Sequence, residues 1–430
     1  MKQSNVSIQS AFYLVGAVFL LTFLQGCGFC HGIFTFCNEI EQTPITAASG
    51  EPPAVVFEDP GIIKVMHGSG CAHLDKGGGI SFTLEQSIDI PAYATKAAVF
   101  LNGWKLKYSG GDHHVAALAA AIGKIKLEPG KLTWNAVGVL EDYPGLFGHD
   151  KAIDWCDWYT VVAWNDTNLH AFVDQGDAEY FCKSGGMPSG SDNFFFAWNW
   201  RTTTALSWFP SFLYNASFPS GPSVAILPRG FGFWWWCGDH HLFQVAYNLE
   251  HSEKFIQSWK YKKAGGHELN PLATPPTGRV DSGFVSWGTY SILKDNATRR
   301  DYLFGELVSA MGGPDVGIIQ PPFAILPLEG LGWGGHVTAG SVGVETKQVV
   351  IDNIPYAYAV PMLTGWDLNY DDDDHHVREV GIWLDDLHYA AGTLSYKVSS
   401  VLHDDSGNGH FSNHKVTLLG LRPAARLPVR

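Results

Sequence analysis

The stretch "YSGGDHHVAAL" (residues 108–118) sets one carboxylate beside two imidazoles, Asp112, His113 and His114. These side chains bind transition metals and exchange protons near neutral pH. The same triplet returns as Asp239, His240 and His241 in "WWWCGDHHLFQV", and again as Asp374, His375 and His376 in "NYDDDDHHVREV". Three occurrences in one chain point to a repeated fold element, and the triplet then has two uses to weigh. One is a polar latch, in which imidazole and carboxylate tie a turn to a distant strand. The other is a metal site, with Asp112 and His114 on one face and a third ligand from elsewhere.

The elements that position the triplets align across the copies. Gly103, Trp104, Leu106, Tyr108 and Asp112 match Gly230, Phe231, Phe233, Trp235 and Asp239, and then Gly365, Trp366, Leu368, Tyr370 and Asp374. Apolar residues at alternate positions predict a first strand with one buried face, and the glycine suits a bend or a close backbone approach. A second strand follows the triplet. Read alone, "VAALAAAIGKI" would be helix on alanine propensity, but its counterparts "LFQVAYNL" and "VREVGIWL" are rich in β-formers. A third strand ends at Asp142, Asp295 and Asp404, which lie 30, 56 and 30 residues after the triplet aspartates.

Side chains alternate along a strand, so His113 shares a face with Val115 while Asp112 and His114 point away. Val115 and Leu118 break that parity, which predicts a β-bulge between them. On this reading His113, His240 and His375 lean inward and need hydrogen-bond partners. The closing aspartates Asp142, Asp295 and Asp404 are the natural candidates.

Flanking apolar runs such as "AVVFEDPGIIKV", "YTVVAW" and "KQVVIDNIPYAYAV" would turn each three-stranded meander into a two-sheet sandwich. With 48 glycines and 23 prolines between short apolar stretches, the expected fold class is all-β: three tandem β-sandwich-like modules. The expected spans are a signal peptide over 1–26, a linker over 27–50, and modules over 51–165, 166–330 and 331–422. The second module carries an inserted loop over 250–281, and 423–430 form a tail.

The leader has Lys2, an apolar run from Ala11 to Leu24, and then "LQGC" ending at Cys27. A run this short falls below the roughly 20 residues of a spanning helix, so it reads as a signal peptide. Its end resembles the bacterial lipobox, which implies export and a lipid on Cys27, with Gln25 in place of the usual small residue. Cys27 to His31 also spells the c-type haem sequence, but the short, turn-rich stretch after it offers no helical shell for a porphyrin. With Cys27 lipidated, Cys30, Cys37, Cys71, Cys156, Cys182 and Cys237 remain, an even number suited to disulfides in an oxidising compartment. Their pairing is open, with Cys30 and Cys37 the nearest in sequence.

Other chemistries find less support. The letters D-H-H also occur in a phosphoesterase family, but that family needs further aspartate motifs on a parallel α/β sheet, which this chain does not supply. The net charge of −14 repels phosphate backbones, so nucleic acid is not an expected partner, despite a local basic patch of Lys254, Lys260, Lys262 and Lys263. The only H-x-x-x-H pair, His410 and His414, sits among turn residues rather than on a helix. Trp198, Trp200, Trp234, Trp235 and Trp236 are candidates for stacking on a ligand such as a glycan, against a role in the core. Together these readings describe an exported, lipid-anchored envelope protein that binds a glycan, peptide or protein, or serves a structural role. No cofactor is expected; the alternative is a metal-dependent hydrolase using an Asp-His-His site.

Overall fold

The computed structural model describes residues 45–46, 53–74, 82–142, 152–172, 194–199, 207–216, 224–235, 240–251, 283–295, 302–313, 316–319, 325–328, 331–333, 336–338, 343–370 and 373–423. The leader with Cys27, Cys30 and Cys37, and also Asp239, Trp200, Trp236, the lysine patch, and all but the first two residues of the inserted loop, lie outside them. The chain is all-β, with three antiparallel sheets, one curled into a half-barrel. A small hairpin joins Ile325–Leu328 to Leu331–Trp333, and the two-residue strand Ile45–Thr46 pairs in parallel.

Around each triplet the chain lays five strands in the same order. The lead strands are Phe82–Asp89, Ser207–Ala216 and Glu345–Ile351. The first strands are Lys96–Tyr108, Val224–Trp235 and Tyr356–Tyr370. The second strands are Ala117–Glu128, Gln244–His251 and Glu379–Ala390. The third strands are Lys131–Glu141, Gly283–Lys294 and Thr393–His403. The fourth strands are Ile153–Trp164, Tyr302–Gly312 and His410–Pro423.

These strands do not stack into successive self-contained meanders. Within each copy the lead, third and second strands pair in that order, and the second strand then pairs with the first strand of another copy. Lys96–Tyr108 pairs with Glu379–Ala390, Val224–Trp235 with Ala117–Glu128, and Tyr356–Tyr370 with Gln244–His251. Each first strand carries its own fourth strand on its other edge. Every sheet is thus half one copy and half the next, and the last copy closes onto the first. Boundaries near 165 and 330 divide the sequence but not the sheets. The run "YTVVAW" belongs to the fourth strand Ile153–Trp164 of the first copy, where it pairs with Lys96–Tyr108, and does not lead the second copy.

The repeated glycines explain how strands of different copies come so close. A Cβ on Gly103 would sit 2.2 Å from the Cβ of Trp383, and one on Gly230 would sit 2.4 Å from the Cβ of Ala121. Only a residue without a side chain fits where the neighbouring copy crosses. The alanines from Ala117 to Ala121 serve the same crossing: they are almost fully buried on both faces, opposite Gly230 to Trp234. Each first strand has a register shift beside its glycine, at Asn102, Arg229 and Thr364, and all three side chains are fully buried.

The core runs along the line where the sheets meet. Trp104, Phe231 and Trp366, one from each first strand, touch one another with ring centroids 5.0, 5.1 and 4.8 Å apart. Aromatic rings at this separation and tilt combine large apolar burial with favourable edge-to-face contact. A disulfide joins Cys71 to Cys156, directly opposed on Ile63–Leu74 and Ile153–Trp164. Among the described residues no helix is long and apolar enough to cross a membrane.

Candidate functional site

Past their last aromatic residue the three first strands end, and the triplets cross from one sheet to the next. The expected β-bulge is absent; the strand breaks, and isolated bridges take over. His113 pairs with Val377, Val115 with His240, and Leu242 with His375. Each bridge is closed by two backbone hydrogen bonds of 2.8–3.1 Å, so the three segments form a ring in which each is bonded to both others. In each segment the bridged residues flank one histidine: His114, His241 and His376. Bridging on both sides fixes the direction of the residue between, and all three point to the same place.

The other histidine of each triplet turns to its own copy's closing aspartate. His113 Nδ1 lies 3.3 Å from Asp142, His240 Nδ1 3.8 Å from Asp295, and His375 Nδ1 3.5 Å from Asp404. Each imidazole also meets the last aromatic of its first strand nearly edge-on, Tyr108, Trp235 or Tyr370, at 4.8–5.0 Å between centroids. In the third copy Asn408 mediates the link: its Nδ2 donates to His375 Nδ1 at 2.9 Å and to Asp404 Oδ2 at 2.8 Å. Asp404 Oδ1 also accepts from the backbone of Ser406, Gly407 and Asn408, so one buried carboxylate orders the whole turn.

The outward histidines form a triad. The ring centroids of His114, His241 and His376 are 4.6–4.7 Å apart, and one nitrogen from each lies within 4.8 Å of the others. The side chains of His241 and His376 are each 41% exposed, so the group opens to solvent. Carboxylates from different copies stand behind two of the rings: Asp374 Oδ1 is 3.8 Å from His241 Nδ1, and Asp112 Oδ1 is 3.7 Å from His376 Nδ1. Burial and the neighbouring imidazoles lower the pKa of His241, against the pull of Asp374. Asp112 is itself held, because its backbone N–H donates to Asp405 Oδ2, and Asp405 is paired with Arg378. Such a group offers three imidazole nitrogen donors with an open side, the donor set of a borderline transition-metal ion.

The groups that cluster with His114 come from the other two triplets, and Asp112, expected to share a metal with His114, is not among the three. The repetition in the sequence carried that signal, but strands assigned to separate sandwiches could not bring the triplets together. Asn408, Asp405 and Arg378 carried no motif at all. Of the remaining histidines, His410 and His414 lie buried on the strand His410–Pro423 and are not among the three clustered groups. His67 is buried between Thr160 and the Leu384 carbonyl, and His73 pairs with Asp154. Trp235 is buried, 3% exposed, and so is not placed to stack on a ligand. Trp198 and Trp234 lie on the strands Phe194–Asn199 and Val224–Trp235.

Comparison with protein-family models and with curated proteins finds no match to this chain.

Proposed function

We propose that this is an exported binding protein of the bacterial envelope, anchored by lipid at Cys27 and built from three interlocked copies of one five-strand unit. Its ligand end is the face formed by His114, His241 and His376. The observation that carries this reading is the division of labour within each triplet. The inner histidine has a carboxylate and an aromatic ring to pack against, which accounts for it as a structural part. The outer histidines instead face one another across the three triplets, and the carboxylates behind His241 and His376 come from other triplets rather than their own. Three half-open imidazoles gathered from three distant triplets turn their nitrogens to one point, an arrangement that serves a ligand. The Cys71–Cys156 disulfide supports export, since such bonds persist in oxidising compartments.

The test separates the two tiers. The variant His114→Ala/His241→Ala/His376→Ala should keep the circular dichroism spectrum and melting temperature of the parent, while His113→Ala/His240→Ala/His375→Ala should melt well below it. An outer variant as unstable as the inner one would reduce the triad to structure. Mass spectrometry of membrane-extracted protein should find a diacylated N-terminal residue 27, and an intact Met1 would sink the anchoring.

A further inference from the structure

We propose that the triad holds a single divalent transition-metal ion of the zinc class, with Asp112 and Asp374 as the positioning residues that aim His376 and His241 at it. This rests on the reading of the triad as the ligand end, and gives that ligand its chemistry.

The geometry is that of a site one short step from closure. Three nitrogens within 4.8 Å of one another place a central ion about 2.8 Å from each, against about 2.0–2.1 Å for a zinc–imidazole bond. An inward movement of about 0.7–0.8 Å per ring completes the coordination, within reach of side-chain rotations. The residues bearing the rings sit between isolated bridges, past the ends of the first strands rather than inside a ladder, so this adjustment disturbs no sheet.

Which atoms coordinate follows from what stands behind the rings. The carboxylates of Asp374 and Asp112 face Nδ1 of His241 and His376. A carboxylate there favours the tautomer with the proton on Nδ1, leaving Nε2 as the lone-pair donor to the centre. Because each carboxylate comes from a different copy than the histidine it orients, ring closure and site formation are one event. Asp112 is firmly fixed: its backbone N–H bonds Asp405, and the Asp405 backbone N–H bonds Asp112 Oδ2 in return, at 3.1 and 3.3 Å.

The donor set selects the metal. Three neutral imidazoles suit zinc, copper, nickel and cobalt, whereas calcium and magnesium seek oxygen. The carboxylates of Asp112 and Asp374 add negative charge beside the site, and Arg378, the nearby cation, is paired with Asp405. The rim therefore attracts a cation and disfavours an anionic substrate such as a phosphate ester. Capture of the ion fits this rim better than hydrolysis of an anion.

The experiment is calorimetric titration of the full-length, chelator-treated protein with Zn(II), alongside Mg(II) and Ca(II), with Co(II) absorption to report the coordination. The expected result is one zinc per chain, no magnesium or calcium, and a cobalt spectrum with imidazole ligands. The single variant His241→Ala should weaken zinc binding by at least about 100-fold. Asp374→Asn and Asp112→Asn should each weaken it by about 10–100-fold. In the metal-free protein, ¹⁵N spectra should show Nδ1-protonated His241 and His376, and the asparagine variants should erase that preference. Wild-type protein that binds none of zinc, cobalt, nickel or copper overturns the metal site while leaving the ligand-end reading to its own stability test. Zinc bound as tightly by His241→Ala overturns it too. Unchanged tautomers in both asparagine variants overturn the positioning role alone.

Discussion

Asp112 and Asp405, 293 residues apart in sequence, hold each other by reciprocal bonds, each donating its backbone N–H to the other's carboxylate. This clasp fastens the triplet of the first copy to the turn after the third strand of the last copy, where the chain closes on itself. Arg378 adds a cation on Asp405 and depresses its pKa. Asp405→Ala should therefore loosen the corner that carries Asp112 and weaken zinc binding several-fold. The strands on either side keep their pairing, so the melting temperature should barely change. Metal titration beside thermal denaturation checks this, and a variant that loses stability but keeps full affinity would place the clasp in the fold alone.

The inner histidines predict a stability effect without a ligand effect. Replacing His113 by alanine leaves the part-buried Asp142 carboxylate without its imidazole and should cost on the order of 1–3 kcal/mol in chemical denaturation. His240→Ala and His375→Ala should cost similar amounts through Asp295 and Asp404. Because every sheet is shared between copies, each variant should shift a single cooperative transition. Separate melting of one third of the molecule would contradict the interlocked pairing.

Much of this arrangement was written in the sequence. Alternation gave the first, second and third strands around each triplet, and the match to "LFQVAYNL" overrode the helical propensity of Ala117–Ala121, whose small size serves the crossing at Gly230. Strand parity pointed His113, His240 and His375 toward Asp142, Asp295 and Asp404, beside which they lie. Which strand pairs with which was not legible. A meander and a cyclic exchange between copies demand the same alternation along each strand, and differ only in the partner across it. Gly103 and Gly230 marked a close approach but could not say to what. The triad was hidden for the same reason, since its three members are 127 and 135 residues apart in sequence and meet only once the sheets are shared.

Asp157 predicts a loss of stability as pH rises. It is fully buried; one oxygen accepts from Gln86 Nε2 at 2.6 Å, and burial pushes its pKa up to about 7. A carboxyl whose pKa is raised on folding contributes stability below its unfolded value of about 3.8 and loses it as pH climbs through the folded value. The cost should therefore accumulate between about pH 4 and pH 7. Asp157→Asn keeps an acceptor for Gln86 and removes the charge. It should be more stable than the parent at pH 8, by on the order of a few kcal/mol, and nearly equal to it at pH 4. Denaturation curves at the two pH values decide, and a variant less stable at pH 8 would mean that the carboxylate has a counter-charge.

His414 predicts the opposite slope on the acid side. It lies on the fourth strand of the last copy opposite Trp366, is 1% exposed, and neither ring nitrogen has a hydrogen-bond partner among the described residues. Burial, with some repulsion from Lys347, lowers its pKa to about 3, and burial holds His67 near 4. A group whose folded pKa is depressed contributes stability that is present above the unfolded value of about 6.5 and lost as pH falls toward the folded one. The contribution of these two histidines should thus weaken from about pH 6 down to about pH 4, against the opposite slope of Asp157. His67 makes two hydrogen bonds through its ring, so removing it would confound charge with bonding, whereas His414 surrenders none. His414→Leu, which fills a similar volume without a titrating group, should flatten the acid limb and raise the melting temperature at pH 5, with little change at pH 7.5. If the leucine variant instead keeps the parent's acid slope and melts lower at both pH values, His414 is satisfied in the folded protein and the acid sensitivity lies elsewhere.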